Sequence, residues 1–234
     1  MTRNILIVHY NTPELTEAAI RSLWKQSGRD WNITILDNSD TMPFWKRMEN
    51  VTVIDNTKGQ VLDFDEWLKQ FPDKGESEDS NWGSAKHCKS VDMCFDILPD
   101  GFLLMDSDII LHKDVRGLVS DDVAWSGWVH CNTRFMGVVV ERLCPFLCWI
   151  NVPMLREKGI RYFNPDKMWR LTRNEPGRYY DTGAWLLEET RRLKLPCNEL
   201  RSLEGYMSHL RGGSWRKGVH EANLWLARQS KYFI

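Results

Sequence analysis

Phe102-Leu-Leu-Met-Asp-Ser-Asp-Ile-Ile-Leu-His-Lys113 sets two carboxylates, Asp106 and Asp108, into the middle of an apolar, strand-like run. Alternate residues of a straight strand share a face, so the two side chains would stand side by side as hard oxygen ligands. Like charges that close call for a cation, and Mn²⁺ or Mg²⁺ suits oxygen donors and bridges readily to a diphosphate. If the chain bends at this point, the pair can still share one ion, with Asp106 turned toward a ribose and Asp108 toward the metal. The plain alternative is a solvated Asp-Ser-Asp turn that ends a strand.

Working outward, strand-like and helix-like pieces alternate. Ile5 to Val8 is a short apolar strand, and Thr12-Pro13-Glu14 carries the signals that open a helix: a capping hydroxyl, proline in the first turn and an early acid. That helix runs to about Gln26 and stops at Ser27-Gly28. Strands follow at Trp31–Leu36 and Val51–Ile54, then a helical pattern through Val61, Phe64, Leu68 and Phe71, and a second helix from about Ser84 to Leu98 that leads into the acidic strand. Strand, helix, strand, repeated, predicts an α/β fold with a mostly parallel central sheet flanked by helices. In such sheets ligands bind beyond the carboxyl ends of the strands. The segments His9–Thr12, Asp37-Asn38, Asn56–Gly59 and Asp106–Asp108 are therefore expected to meet at one edge.

Composition narrows the function classes. The chain has 234 residues, 42% of them hydrophobic, enough for one large domain. Its 31 basic and 32 acidic residues leave a net charge of −1, which gives no general attraction to nucleic acid or an anionic membrane. Six cysteines, among them Cys88, Cys94, Cys144 and Cys148, match neither a disulfide framework nor a zinc-ribbon spacing, so free thiols in a reducing cytoplasm are expected. The N-terminus lacks the features of a signal peptide. The most apolar later stretch, Cys144–Leu155, is broken by Pro145, Asn151 and Pro153 and falls short of the ~20 residues that span a bilayer.

Four segments in order, Ile-Leu-Ile-Val-His-Tyr-Asn-Thr-Pro-Glu-Leu, Ile-Leu-Asp-Asn-Ser, Asn-Trp-Gly-Ser-Ala and Leu-Met-Asp-Ser-Asp, resemble the successive motifs of family 2 glycosyltransferases of the GT-A fold. The likeness covers roughly residues 4–115. It implies one GT-A nucleotide-diphospho-sugar transferase domain over 1–234, with a nucleotide-sugar-binding half at 1–115 and an acceptor-binding and catalytic half at 116–234. It also implies hexosyl transfer from a nucleotide-diphospho-sugar donor to a carbohydrate or glycolipid acceptor, usually with inversion and a divalent metal.

By the same resemblance Tyr10 and Asn11 would line the base and ribose pocket, with Asn38 beside them. Asp37 would hydrogen-bond the base, and Lys86 would reach the pyrophosphate. Turn formation is the plain alternative for Asn11 and Asp37, and a solvated helix position for Lys86. One departure concerns the usual Asn-x-Gly helix, whose part either Asn56-Thr-Lys-Gly59 or Asn81-Trp-Gly83 could play.

In the second half, a strand within Val138–Leu147 and a short helix ending at Lys158-Gly159 precede Arg178-Tyr-Tyr-Asp181-Thr-Gly183 and a helix over Ala184–Leu193. An acceptor hydroxyl needs a base, and the resemblance implies an acidic one in this region. Asp181, at a Thr-Gly turn, is the first choice, and Glu189, with Glu188 beside it, matches the family's acidic helix pair. A helix cap for Asp181 and an Arg-paired surface for the glutamates are the plain alternatives. Ser208-His209-Leu-Arg211-Gly-Gly-Ser-Trp215 resembles the family's histidine loop, in which His209 would complete the metal shell and Arg211 would neutralise the departing diphosphate. Gly205, Gly212 and Gly213 would let this segment bring His209 in only when donor and metal are bound. A sugar-nucleotide-forming nucleotidyltransferase is a second reading, although His9-Tyr-Asn-Thr-Pro lacks its Gly-rich basic loop. A non-catalytic nucleotide- or carbohydrate-binding homologue is a third.

Overall fold

In a computed structural model, described at residues 3–58, 82–135, 138–169, 178–210 and 219–234, the parallel sheet forms around the run that contains the two aspartates. The first half supplies β1 (Arg3–His9), α1 (Pro13–Ser27), β2 (Trp31–Asp37), β3 (Val51–Asp55), α2 (Trp82–Ile97), β4 (Phe102–Met105) and β5 (Ile109–Leu111). The second supplies β6 (Trp125–Phe135), β7 (Val138–Ile150), α3 (Val152–Glu157), α4 (Pro165–Trp169), β8 (Arg178–Tyr179), α5 (Ala184–Arg192), β9 (Asn198–Leu200), β10 (Met207–His209) and α6 (Val219–Gln229). The helical pattern expected around Val61–Phe71 lies outside the described residues.

The main sheet runs β3-β2-β1-β4-β7-β6-β9, with β8 on β7. The first four strands are parallel and β7 enters antiparallel, pairing Phe102 with Ile150 and Met105 with Leu147. One sheet therefore joins the two halves of the chain.

The central strand β4 is buried throughout, and β1 nearly so, because both faces of the sheet are covered there. Along β1, Leu6 packs into a core with Val91 and Phe95 of α2, while Ile5 and Ile7 pack into a second core with Ala19, Ile20 and Leu23 of α1. Along β4, Phe102 and Leu104 join the first core, and Leu103 and Met105 the second. A polar residue at any of these positions would lose burial on one side of the sheet, at about 1.5–3 kcal/mol for a large aliphatic or aromatic side chain.

One local reading changes. Thr12 stands at the α1 N-cap position, but its hydroxyl donates to Ser107 Oγ at 3.2 Å and caps no helix amide. The hydroxyl is drawn to the neighbouring strand end. In addition, β6 is an eleven-residue strand in a run whose polar residues hide the alternation. Its pairing slips from Gly127 opposite Cys148 to Val129 opposite Leu143, which bulges Cys144-Pro145-Phe146 out of β7. Proline has no ladder amide to lose there. A Cβ on Gly127 would lie 2.8 Å from both Cys148 Cβ and Leu143 Cδ1, so glycine permits the close approach. No helix among the described residues is long and apolar enough to cross a membrane.

Candidate active site

The acidic run is not one straight strand. The main sheet ends at Met105, and Ile109–Leu111 leave it to form an antiparallel ribbon with Met207–His209, His209 opposite Ile109. The bend is pinned on both sides. The Asp106 amide donates to Phe146 O at 2.9 Å, and the Leu210 amide donates to Asp108 O at 3.0 Å. The β7 bulge thus holds one aspartate and the ribbon the other.

This pairing brings in a histidine from about a hundred residues away. His209 Nε2 lies 3.0 Å from Asp108 Oδ1 and 3.8 Å from Asp106 Oδ2, and ligand atoms of all three residues fall within 4.8 Å of one another. The imidazole packs against Phe146, ring centroids 4.0 Å apart. Its Nδ1 is buried without a hydrogen-bond partner among the described residues. Backbone pairing with Ile109 places His209 at the carboxylates. Burial, reinforced by Asp108, pushes the Asp106 carboxyl up to about 7, against the pull of His209 and Arg142. Two carboxylates and an imidazole this close have the donor set and spacing for a divalent ion such as Mn²⁺ or Mg²⁺.

The other strand ends lie along the same edge, with His9 opposite Asp37 and Asp37 opposite Asp55. Asn11 takes a left-handed φ of +53°, which asparagine tolerates better than most residues. Its side chain donates to Asp40 and accepts from the Thr41 and Met42 amides, while the Tyr10 hydroxyl donates to Asp40 at 2.8 Å. Asp37 is 2% exposed. Its two oxygens accept the Ser39 and Phe44 amides, so the carboxylate is occupied in organising its own loop. Asn38 donates to Ser90 of α2 and accepts from Asn56. Lys86, one turn before Ser90, places its ammonium 5.6 Å from the centre of the Tyr10 ring. Tyr10, Asn11, Asn38 and Lys86 therefore belong to one surface; of the alternative Asn-x-Gly segments, Gly59 and Asn81 lie outside the described residues.

On the acceptor-side elements, Asp181 accepts from Ser84 Oγ at 2.7 Å, from the Thr182 amide at 2.7 Å and from Arg142 Nη1 at 2.6 Å. It caps no helix with its side chain. The N-cap of α5 is Gly183, at φ +83°, where a Cβ would lie 2.2 Å from Leu143 O. Glu189 is 9% exposed and is bound by Arg192 at 2.8 Å, whereas Glu188 accepts from the Tyr180 hydroxyl and lies 3.4 Å from Lys167. Arg211 lies outside the described residues.

Sequence reasoning missed Arg142. Its guanidinium pairs with Asp181, sits 5.6 Å from the Phe146 ring and acts on Asp106 through its charge. Its Nε is buried and has no hydrogen-bond partner among the described residues. Nearby, burial drives the His87 imidazole down to about 4, opposed by the charge of Asp181 and assisted by that of Arg142. The available signal was the charged pair Glu141-Arg142 inside an otherwise apolar strand, the same kind of interruption that drew notice to Asp106 and Asp108.

No protein-family model matches this chain, and no curated protein matches it. Solved structures do. Galactosyltransferase LgtC, in complex with donor and acceptor sugar analogs, is similar over 98% of this chain and 94% of its own, at 11% identity and a TM-score of 0.53. Glycosyltransferase GlyE of Streptococcus pneumoniae TIGR4 is similar over 98% of this chain and 64% of its own, at 13% identity and a TM-score of 0.47. In the apo form of GlyE the match covers 85% of this chain and 45% of that one, at 16% identity and a TM-score of 0.42. This chain thus spans less than two thirds of the GlyE structures. The likeness to LgtC, over nearly all of both chains, shows that the fold is of the GT-A glycosyltransferase type.

Proposed function

We propose that this chain is a metal-dependent, inverting glycosyltransferase of family 2 type that moves a hexosyl group from a nucleotide-diphospho-sugar to the hydroxyl of a carbohydrate or glycolipid acceptor, in glycan or polysaccharide assembly. The observation that carries the reading is the convergence of Asp106, Asp108 and His209 at the carboxyl edge of the parallel strands. Asp108, His209 and Asp106 would hold Mn²⁺ or Mg²⁺. The ion, when bound, neutralises charge on the diphosphate. Tyr10, Asn11 and Asn38 would line the nucleoside pocket, with Asp37 contributing through the loop its carboxylate braces. Lys86, and Arg211 from the acceptor half, would face the diphosphate.

Asp181 would accept the acceptor's proton. Three donors fix its orientation and leave one lone-pair position, on Oδ2, to take up a proton. Glu189 is the alternative base, buried on the adjoining helix but paired with Arg192. The chain acts in this reading as one domain, 1–115 on the donor side and 116–234 on the acceptor side, in the cytoplasm, where its six cysteines stay reduced. A second reading draws on the Asp181–Arg142 ion pair: a carboxylate so engaged can serve structure alone, in a non-catalytic nucleotide- or carbohydrate-binding protein. Mn²⁺-dependent hydrolysis of UDP-, GDP- and dTDP-sugars separates the two. Slow hydrolysis that Asp108→Asn abolishes supports the transferase, and binding with no turnover of any donor supports the binding protein.

A further inference from the structure

The position of Arg142 bears on how the metal enters. The guanidinium of Arg142 pairs with Asp181 and acts through its charge on Asp106, which lies with Asp108 at His209. Arg142 lies just before the β7 bulge, and Phe146 is part of it. The guanidinium lies 5.6 Å from the Phe146 ring, whose other neighbour is the His209 imidazole at 4.0 Å, and Phe146 O binds the Asp106 amide. Arg142 is thus built into the wall next to the carboxylates a cation would occupy. Only 16% of its side chain is exposed, which leaves little water to screen it. Its buried Nε has no partner among the described residues, and the guanidinium pairs through Nη1 with Asp181.

We propose that Arg142 makes metal uptake contingent on the donor's diphosphate: its guanidinium repels a free divalent ion from Asp106, Asp108 and His209 and attracts the diphosphate that arrives with the ion. This rests on the donor-site reading given above. A lone cation entering the site meets a resident positive charge. A metal–diphosphate pair brings anionic oxygens that offset it. The two ligands then bind with positive coupling, and each raises the affinity for the other by the same factor.

The test uses the full chain, with free Mn²⁺ followed by electron paramagnetic resonance in low salt, for Mn²⁺ alone and with UDP, GDP or dTDP. For a unit charge on the order of 10 Å from a divalent ion, even the dielectric constant of water gives about a fourfold effect on affinity. Arg142→Gln should therefore bind Mn²⁺ alone at least about fourfold tighter than the parent and show a smaller coupling factor with the diphosphate. Arg142→Lys, which keeps the charge, should behave as the parent does. Asp181→Asn, which leaves the guanidinium without its carboxylate, should bind Mn²⁺ alone more weakly, and this arm stands even if Arg142→Gln does not fold. Unchanged or weaker Mn²⁺ binding by folded Arg142→Gln, or unchanged binding by Asp181→Asn, overturns the inference while leaving the donor site standing. A parent that binds no Mn²⁺ with any of the three diphosphates overturns the donor-site reading, and this inference with it.

Discussion

Replacing Asp106 by asparagine should stabilise the metal-free protein, and the gain should grow with pH. The carboxyl is pushed from an ordinary 3.8 up to about 7 by burial and by Asp108, with 22% of the side chain exposed. A group whose folded-state value is raised binds more protons folded than unfolded, so between about 4 and 7 stability falls as pH rises. Asparagine removes that slope. At about 1.4 kcal/mol per pH unit the interval sets a ceiling of about 4 kcal/mol. Solvent reaches a fifth of the Asp106 side chain, so a gain of about 1–3 kcal/mol is expected at pH 8 and almost none at pH 4. The comparison must be parent against variant at each pH. His87, driven down to about 4, contributes the opposite slope over much of the same range and cancels only in the difference. Urea unfolding at pH 4, 6 and 8 in chelator measures the effect, and Mn²⁺ added together with the matching nucleoside diphosphate should reverse the order by stabilising the parent alone. A variant less stable than the parent at pH 8, or a difference flat with pH, would refute the electrostatic reasoning.

Asp108→Asn should leave the fold intact, being isosteric, and abolish Mn²⁺-dependent nucleotide binding, as calorimetry with and without the ion would report. His209→Ala should weaken metal-dependent donor binding and slow transfer; a fully active variant would return His209 to a structural role. Asp181→Asn should leave donor affinity nearly unchanged and lower kcat by about 10² or more. Should it transfer normally while Glu189→Gln is inactive, the base is Glu189. Gly183→Ala should destabilise by about 2–4 kcal/mol in a thermal melt, since its φ of +83° and a Cβ 2.2 Å from Leu143 O both oppose a side chain.

The parallel half of the sheet was legible because β1 and β4 are buried on both faces and so read as unbroken apolar runs, each closing on polar strand ends. α1 announced itself through Pro13 and Glu14. Alternation could not say whether the chain runs straight through Asp106 and Asp108, because the bend is set by partners far away: Phe146 O on one side and the Met207–His209 ribbon on the other. Strand β6 was invisible for a related reason, its polar residues masking a ladder that β7 imposes. Asp37 and Asp181 read as carboxylates awaiting ligands, yet each is already bound by protein donors that only the folded chain assembles. Arg142 carried no motif. Its importance comes from lying beside Asp181 and Phe146, which sequence spacing does not encode.

Thermal unfolding against UDP, GDP, CMP and dTDP, each with and without Mn²⁺ and with Asp108→Asn as control, tests the donor site most directly. A ligand at a hundred times its Kd stabilises the native state by about 2.7 kcal/mol, which for a chain of this size is about 5–10 °C. One nucleotide should raise the parent's Tm by that amount only when Mn²⁺ is present, and should do nothing for Asp108→Asn. Equal stabilisation with and without Mn²⁺, or a full shift in Asp108→Asn, would contradict the assignment of Asp106, Asp108 and His209 as the metal-bearing centre of a sugar-nucleotide site.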